Sequence, residues 1–135
     1  MDCIFCKIVK GKIPSRKITE TEKSLAFLDA FPLTKGHTLV IPKKHYVKIQ
    51  EMSKEDSSDL FEVVRILTGK MERLGPASLV AIHNGKESGQ EVPHVHVHII
   101  PRNTDDSVGP VHSMFNKKPK FTNDELNNIV EKLVK

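Results

Sequence analysis

The chain has 135 residues, with 21 Lys+Arg against 17 Asp+Glu, a formal net charge of +4. That length predicts one domain over residues 1–135 with an adequate but modest core, and 28% charged with 38% hydrophobic residues fits a soluble globular protein. No apolar run approaches the roughly 20 residues of a membrane helix, and the charge is too mild to argue for nucleic acid but suits a small phosphate-bearing substrate.

Lys7, Lys10 and Lys12 interrupt Met1–Ile13, which lacks the apolar stretch of a signal peptide, so a cytoplasmic location is expected. Cys3–Val9 reads as a short helix capped by Asp2 and stopped by Gly11. The two cysteines, Cys3 and Cys6, form a CxxC that suits a metal or a redox pair, not a secreted disulfide scaffold. Lys17–Glu20 and Ser24–Leu28 read as strands around a polar turn. Gly36 opens a third strand, His37–Ile41, closed by Pro42. Ser53-Lys54-Glu55-Asp56 has a capping-box pattern and starts a long helix ending near Leu74-Gly75-Pro76. Its Leu60, Val63, Val64, Leu67, Met71 and Leu74 keep helical spacing. Ser78–Ile82 reads as a strand, Asn84–Gln90 as a polar loop, and Val95–Ile100 as a strand ended by Pro101. Asn103–Phe121 reads as an extended loop. Thr122-Asn123-Asp124-Glu125 is a second capping box, opening a helix with an apolar stripe of Leu126, Ile129, Val130, Leu133 and Val134. The pattern predicts an α+β domain: an antiparallel sheet with a long helix and a C-terminal helix.

Histidine is the unusual count, seven in all. Three fall in His94-Val95-His96-Val97-His98. Alternation on a strand sends Val95, Val97 and Ile99 to the core and the three imidazoles to the other face, about 6.6 Å apart. A solvated strand gains little from such a row. Two chemistries fit it: transition-metal ligation, and nucleophilic catalysis by neutral imidazole with neighbours that donate protons. Ser88-Gly89-Gln90 offers a loop whose amides can converge on an anion, and Arg102 follows the strand's far end.

These residues resemble the histidine triad (HIT) hydrolases and transferases, and within them the CxxC-containing bacterial and archaeal members. His94–Ile100 matches the family's His-φ-His-φ-His-φ-φ motif, φ being apolar, at every position. Gly89-Gln90-Glu91-Val92-Pro93 resembles its lead-in, Gly36–His45 its second block, Cys3–Ile8 with Ile13-Pro14 its start, and Ala26-Phe27-Leu28-Asp29 its sugar-binding block. The resemblance runs over residues 1–102; residues 103–135 add only a loop and a helix.

The resemblance implies the following roles. His96 attacks the α-phosphorus, forming a covalent nucleotidyl-histidine that water releases. His98 and His37 bind the phosphate and move protons, and Gln90 joins them in the catalytic set. Asp29 accepts the ribose hydroxyls, while Ile4, Phe5, Ile8 and Phe27 form a base slot. Gly89, Glu91 and either His83 or Asn84 complete the nucleotide site. Glu91 stands where the family commonly has a small hydroxyl residue, and His83 where it has Asn or Gln, which leaves the leaving-group preference open. Cys3, Cys6, His45 and His94 have the ligand types of a structural zinc, as some similar HIT proteins carry. His98 favours the hydrolase branch over the transferase branch, whose third position is typically glutamine.

The implied substrate is a purine nucleotide, either an adenosine phosphoramidate or a dinucleoside polyphosphate. The implied assembly is a homodimer, with neither nucleic acid nor membrane as a partner. Two rival readings stand beside hydrolysis: a nucleotide-binding sensor or scaffold with little activity, and a metalloenzyme with His94, His96 and His98 around one open metal site.

Overall fold

The strands and helices follow directly from where apolar residues recur. The computed structural model describes residues 2–111, 114, 116 and 118–135, so residues 112, 113, 115 and 117 of the expected loop lie outside the described residues. Five strands, β1 (Lys17–Glu20), β2 (Ser24–Leu28), β3 (Thr38–Pro42), β4 (Ala77–Ala81) and β5 (Val97–Arg102), form one antiparallel sheet in the order β1-β2-β3-β5-β4. Among the described residues three α-helices accompany them: α1 (Ile4–Val9), α2 (Lys54–Lys70) and α3 (Asn123–Leu133). The α+β sheet architecture expected from the sequence is the one observed.

Alternation along β2 and β3 splits the core in two. Ala26 and Val40, with Val95, Val97 and Ile99, pack beneath Leu60, Val63, Val64, Leu67 and Met71 of α2 and its extension. Leu25, Phe27, Leu39 and Ile41 face the other way and meet Cys3 and Phe5. A side-chain period of two makes this division automatic once both faces are covered. The sheet is therefore a partition: α2 lies on one face, and α1 with the histidines on the other. Across it Leu39 pairs with His98, which sets a β5 imidazole beside the core that α1 covers.

Local details revise several expectations. The cap of α1 is Cys3, whose Sγ accepts from the Cys6 amide, while Asp2 instead pairs with Lys7 Nζ at 2.7 Å. At the start of α2, Ser53 caps the Asp56 amide, but the Asp56 carboxylate accepts from the Tyr46 hydroxyl. Leu74 stays 44% exposed beyond the helix end. Strand β5 begins at Val97, so His94 and His96 precede the regular ladder. There the Val95 amide donates to Tyr46 O, pulling the segment toward His45. Pro101 does not end the strand; as an acceptor-only residue it sits within β5, which continues to Arg102. Arg102 binds Asp106 and Val108 O instead of reaching toward a phosphate, and it ties down the start of the loop that follows. The capping box of α3 forms in full. Its stripe of Leu126, Ile129, Val130, Leu133 and Val134 stays exposed.

The two helices should respond oppositely to truncation. Leu60→Ala, at a fully buried position, should lower the unfolding free energy by about 2–5 kcal/mol. Leu126→Ala should change it by no more than about 0.5 kcal/mol. Urea denaturation followed by circular dichroism measures both.

Candidate active site and metal cluster

A cleft of about 870 Å³ opens on the histidine face of the sheet. Ile4, Phe5, Ile8 and Phe27 form its apolar end, and His37, His83, His96 and His98 its polar end. Phe5 is the hinge between them, with its ring edge-on to Phe27 at 5.8 Å and to His96 at 5.1 Å.

Backbone atoms set the imidazole tautomers. The Leu33 amide donates to His37 Nδ1 at 3.0 Å. His37 Nε2 therefore carries the hydrogen and donates it to His98 Nδ1 at 3.0 Å. His98 is left with Nε2–H free to donate. His96 donates Nδ1–H to the carbonyl of His94 at 2.7 Å, so the lone pair of the neutral ring is on Nε2. Burial holds His37 and His96 below the ordinary imidazole range and pushes His98 down to about 4. His37, His96 and His98 are thus neutral near pH 7, with one nucleophilic nitrogen and one donor.

Asp29 lines the same cleft. Its Oδ1 accepts from the Phe31 amide at 2.9 Å, and Oδ2 lies 3.5 Å from His37 Nε2. The loop after Asp29 was not among the expected site residues, yet Phe31, Pro32 and Leu33 form one lip of the cleft. The signal for it was there: an Asp followed by a proline-bearing turn and then His37, the residue that the Leu33 amide fixes.

The two expected alternatives, His83 and Asn84, point in different directions. His83 lines the cleft and donates Nδ1–H to Ser88 O at 2.7 Å, with its ring edge-on to His98. Asn84 faces away, accepting from the Ile49 amide and donating to Gln50. Gln90 also departs from expectation. Its oxygen accepts from the Gly85 amide and its nitrogen donates to Val47 O and Val92 O, so it braces the loop instead of facing the cleft. The Ser88, Gly89 and Gln90 amides are consumed within that turn and do not converge on an anion. Gly89 itself does line the cleft with φ +98°, and a Cβ there would lie 3.2 Å from His83 Nδ1. Glu91 lines the cleft and is exposed.

Beneath the cleft, Cys3, Cys6, His45 and His94 bring four ligand atoms within 4.8 Å of one another. His45 Nδ1 and His94 Nδ1 are 3.2 Å apart. Cys3 Sγ and Cys6 Sγ lie 3.4 and 3.6 Å from His94 Nδ1, and Cys6 Sγ lies 3.3 Å from His45 Nδ1. Tetrahedral bonds to zinc-like ions give edges of about 3.3 Å between two nitrogens and about 3.6 Å between nitrogen and sulfur. His94 donates Nε2–H to Pro42 O at 2.8 Å, so its Nδ1 presents a lone pair, and burial pushes its pKa down to about 4. Chemistry and spacing both fit a closed four-ligand metal site.

Two other metal arrangements fail. Asp29, His37 and His98 also cluster, but His37 Nε2 already bears hydrogen because its Nδ1 accepts from Leu33. The expected alternative of His94, His96 and His98 around one ion fails because His94 turns one nitrogen to the cysteines and donates from the other to Pro42 O.

The HIT domain family matches residues 10–105. The chain belongs to the HIT family. It is 50% identical over 103 residues, 76% of this chain and 75% of the relative, to adenosine 5'-monophosphoramidase of Schizosaccharomyces pombe. A HIT family protein of Bacillus subtilis superposes with a TM-score of 0.87 at 36% identity, covering 99% of this chain and 96% of that one. A zinc-bound histidine triad family protein of Mycobacterium smegmatis superposes with a TM-score of 0.74 at 35% identity, covering 89% and 85%. Both cysteines precede the matched stretch, so the Cys/His cluster joins a segment outside it to two histidines inside it. No helix among the described residues is long and apolar enough to cross a membrane.

Burial of neutral imidazole makes stability depend on pH with a definite sign. The folded value of His98, about 4, lies below the unfolded value of about 6.5. Its contribution is complete above about pH 6.5 and is lost as pH falls toward 4. The urea midpoint should therefore decline over that window, and His98→Asn should flatten the decline.

Proposed function

We propose that the chain hydrolyses nucleoside 5'-phosphoramidates at the α-phosphorus through a covalent nucleotidyl-His96. The observation that carries this reading is the hydrogen bond from His96 Nδ1–H to His94 O, which directs the Nε2 lone pair to the cleft. Attack by Nε2 forms the P–N bond to His96 while the bond to the leaving amine breaks, and the amine takes a proton from solvent as it departs. Water then attacks phosphorus and gives a proton back to solvent, the P–Nε2 bond breaks, and the nucleoside monophosphate leaves. Dividing one displacement into two lowers each barrier. His98 Nε2–H donates to a non-bridging oxygen, and His37 holds His98 in the tautomer that permits this. Asp29 receives the ribose hydroxyls, and the slot of Ile4, Phe5, Ile8 and Phe27 receives the base. Gly89 and Glu91 border the phosphate with His83. The yeast relative's phosphoramidase name supports the amine leaving group over a polyphosphate.

The metal reading is a structural zinc. When bound it supplies coordination, not reaction chemistry, since all four ligand positions are taken by side chains. Cys3 and Cys6 anchor α1, and α1 carries Phe5 into the cleft. A twofold homodimer is also proposed. Strand β4 is an open edge, and Val80, Phe61 and Ile66 are exposed beside it and on α2. A molar mass of one chain in light scattering rejects this assembly. The chain is read as one catalytic domain.

His96→Ala should abolish turnover of adenosine 5'-phosphoramidate while leaving binding of the monophosphate within about tenfold, because the remaining contacts hold the phosphate. Undiminished turnover removes the nucleophile assignment, and acid-quenched wild type should carry a nucleotidyl adduct by mass spectrometry. Asp29→Asn should weaken nucleotide binding about tenfold, as a charge-assisted acceptor becomes a neutral amide. A 2',3'-dideoxy nucleotide should lose little further affinity on that variant.

Zinc should be present at one ion per chain by elemental analysis and be lost in Cys3→Ala. Ligand thiols must shed protons to bind, and burial pushes the Cys6 thiol up. Metal affinity should therefore fall in acid. Chelator should lower the melting temperature; indifference to chelator would leave the cysteines as ordinary thiols.

A further inference from the structure

Charge is unevenly placed around the cleft. Among its lining residues the ionised groups are Arg16, Asp29 and Glu91. Arg16 immediately precedes β1, whereas Glu91 leads into β5. Those strands are three spacings apart in the sheet, or roughly 14 Å. Asp29 has an oxygen on the Phe31 amide and the other facing His37. The Glu91 carboxylate makes no ion pair among the described residues; it lines the cleft with His96 and His98, and Gly89, two residues before it, lies against His83, whose ring is edge-on to His98.

The imidazoles do not offset this carboxylate. His37 and His98 share one hydrogen between Nε2 and Nδ1 at 3.0 Å. A second hydrogen on His98 Nδ1 would set two N–H groups against each other. The reacting end of the cleft is therefore lined by the hydrogen-bonded His37–His98 pair, which carries no added proton, and an unpaired negative charge. A polyphosphate leaving group must depart past that charge without the Arg or Lys clamp that phosphate transfer commonly uses. An amine that carries a second ammonium meets the opposite situation.

We infer that Glu91 is a specificity-determining residue that favours phosphoramidates whose leaving amine bears a further positive charge and disfavours polyphosphate leaving groups. The inference rests on the proposed reaction at His96.

Three substrates test it: an adenosine 5'-phosphoramidate of a neutral alkylamine, one of a diaminoalkane of equal length, and diadenosine tetraphosphate. The wild type should favour the diaminoalkane over the alkylamine by about fivefold in kcat/KM at low salt, the size expected of an exposed ion pair. The preference should shrink as salt rises. Glu91→Gln should bring that ratio to about one and raise the rate on the tetraphosphate relative to the alkylamine substrate. Glu91→Thr should do the same, which guards against a fault of one variant. An unchanged ratio in both variants, or no preference in the wild type, overturns the inference while leaving the reaction standing. Failure to cleave any of the three overturns the reaction. The ratio is then read as binding of the two phosphoramidates to His96→Ala by calorimetry, with and without Glu91→Gln. Loss of a fivefold preference supports Glu91, and an absent or unchanged preference rejects it.

Discussion

Hydrogen bonds from imidazole nitrogens to backbone atoms set the chemistry of this cleft. His37, His83, His94 and His96 are each fixed at one nitrogen by an amide or a carbonyl. A backbone amide can only donate and a carbonyl can only accept, so each bond dictates a tautomer and not merely an orientation. His98 inherits its tautomer from His37. The order passes from the Leu33 amide to a hydrogen-bond donor facing the cleft two rings away. Burial reinforces it at His37, His94, His96 and His98 by disfavouring the charged forms. A row of histidines, usually a pH-dependent surface near neutrality, becomes a fixed pattern of lone pairs and donors.

The sheet makes that pattern possible. Its α2 face absorbs Val95, Val97 and Ile99, which fixes the segment's register from below. The histidine side chains then have only one face left. The partition also explains why a small core suffices. Both faces of β2 and β3 are buried, so the strands that carry the cleft floor are held by two clusters rather than one.

Much of this was legible in the sequence because it obeys short-range rules. Turn and breaker residues located β2 and β3, capping residues located the starts of α2 and α3, and the spacing of His94, His96 and His98 pointed to the candidate site. What was not legible depends on atoms far apart in the chain. Gln90 sits beside the histidine motif, but its amide bonds to Val47 O and Gly85 N decide that it braces a loop. Asn84 and His83 are neighbours in sequence and face opposite ways for the same kind of reason. Cys3 and Cys6 announced a metal or redox pair. Only the tertiary bend at Val95 shows how His94 reaches them. The exposed stripe of α3 shows the opposite limit: helical spacing predicted the element correctly but not what it packs against.

His94 serves two structures with two different parts of itself. Its ring faces the cysteines, while its carbonyl, an atom common to all twenty amino acids, receives the hydrogen of His96. The two dependencies are separable in descent. A lineage of this fold can exchange the cysteines and the ring at position 94 for an apolar packing solution and still align the imidazole two residues on. Ligand sets and reaction chemistry are then free to drift at different rates, although they meet in a single residue.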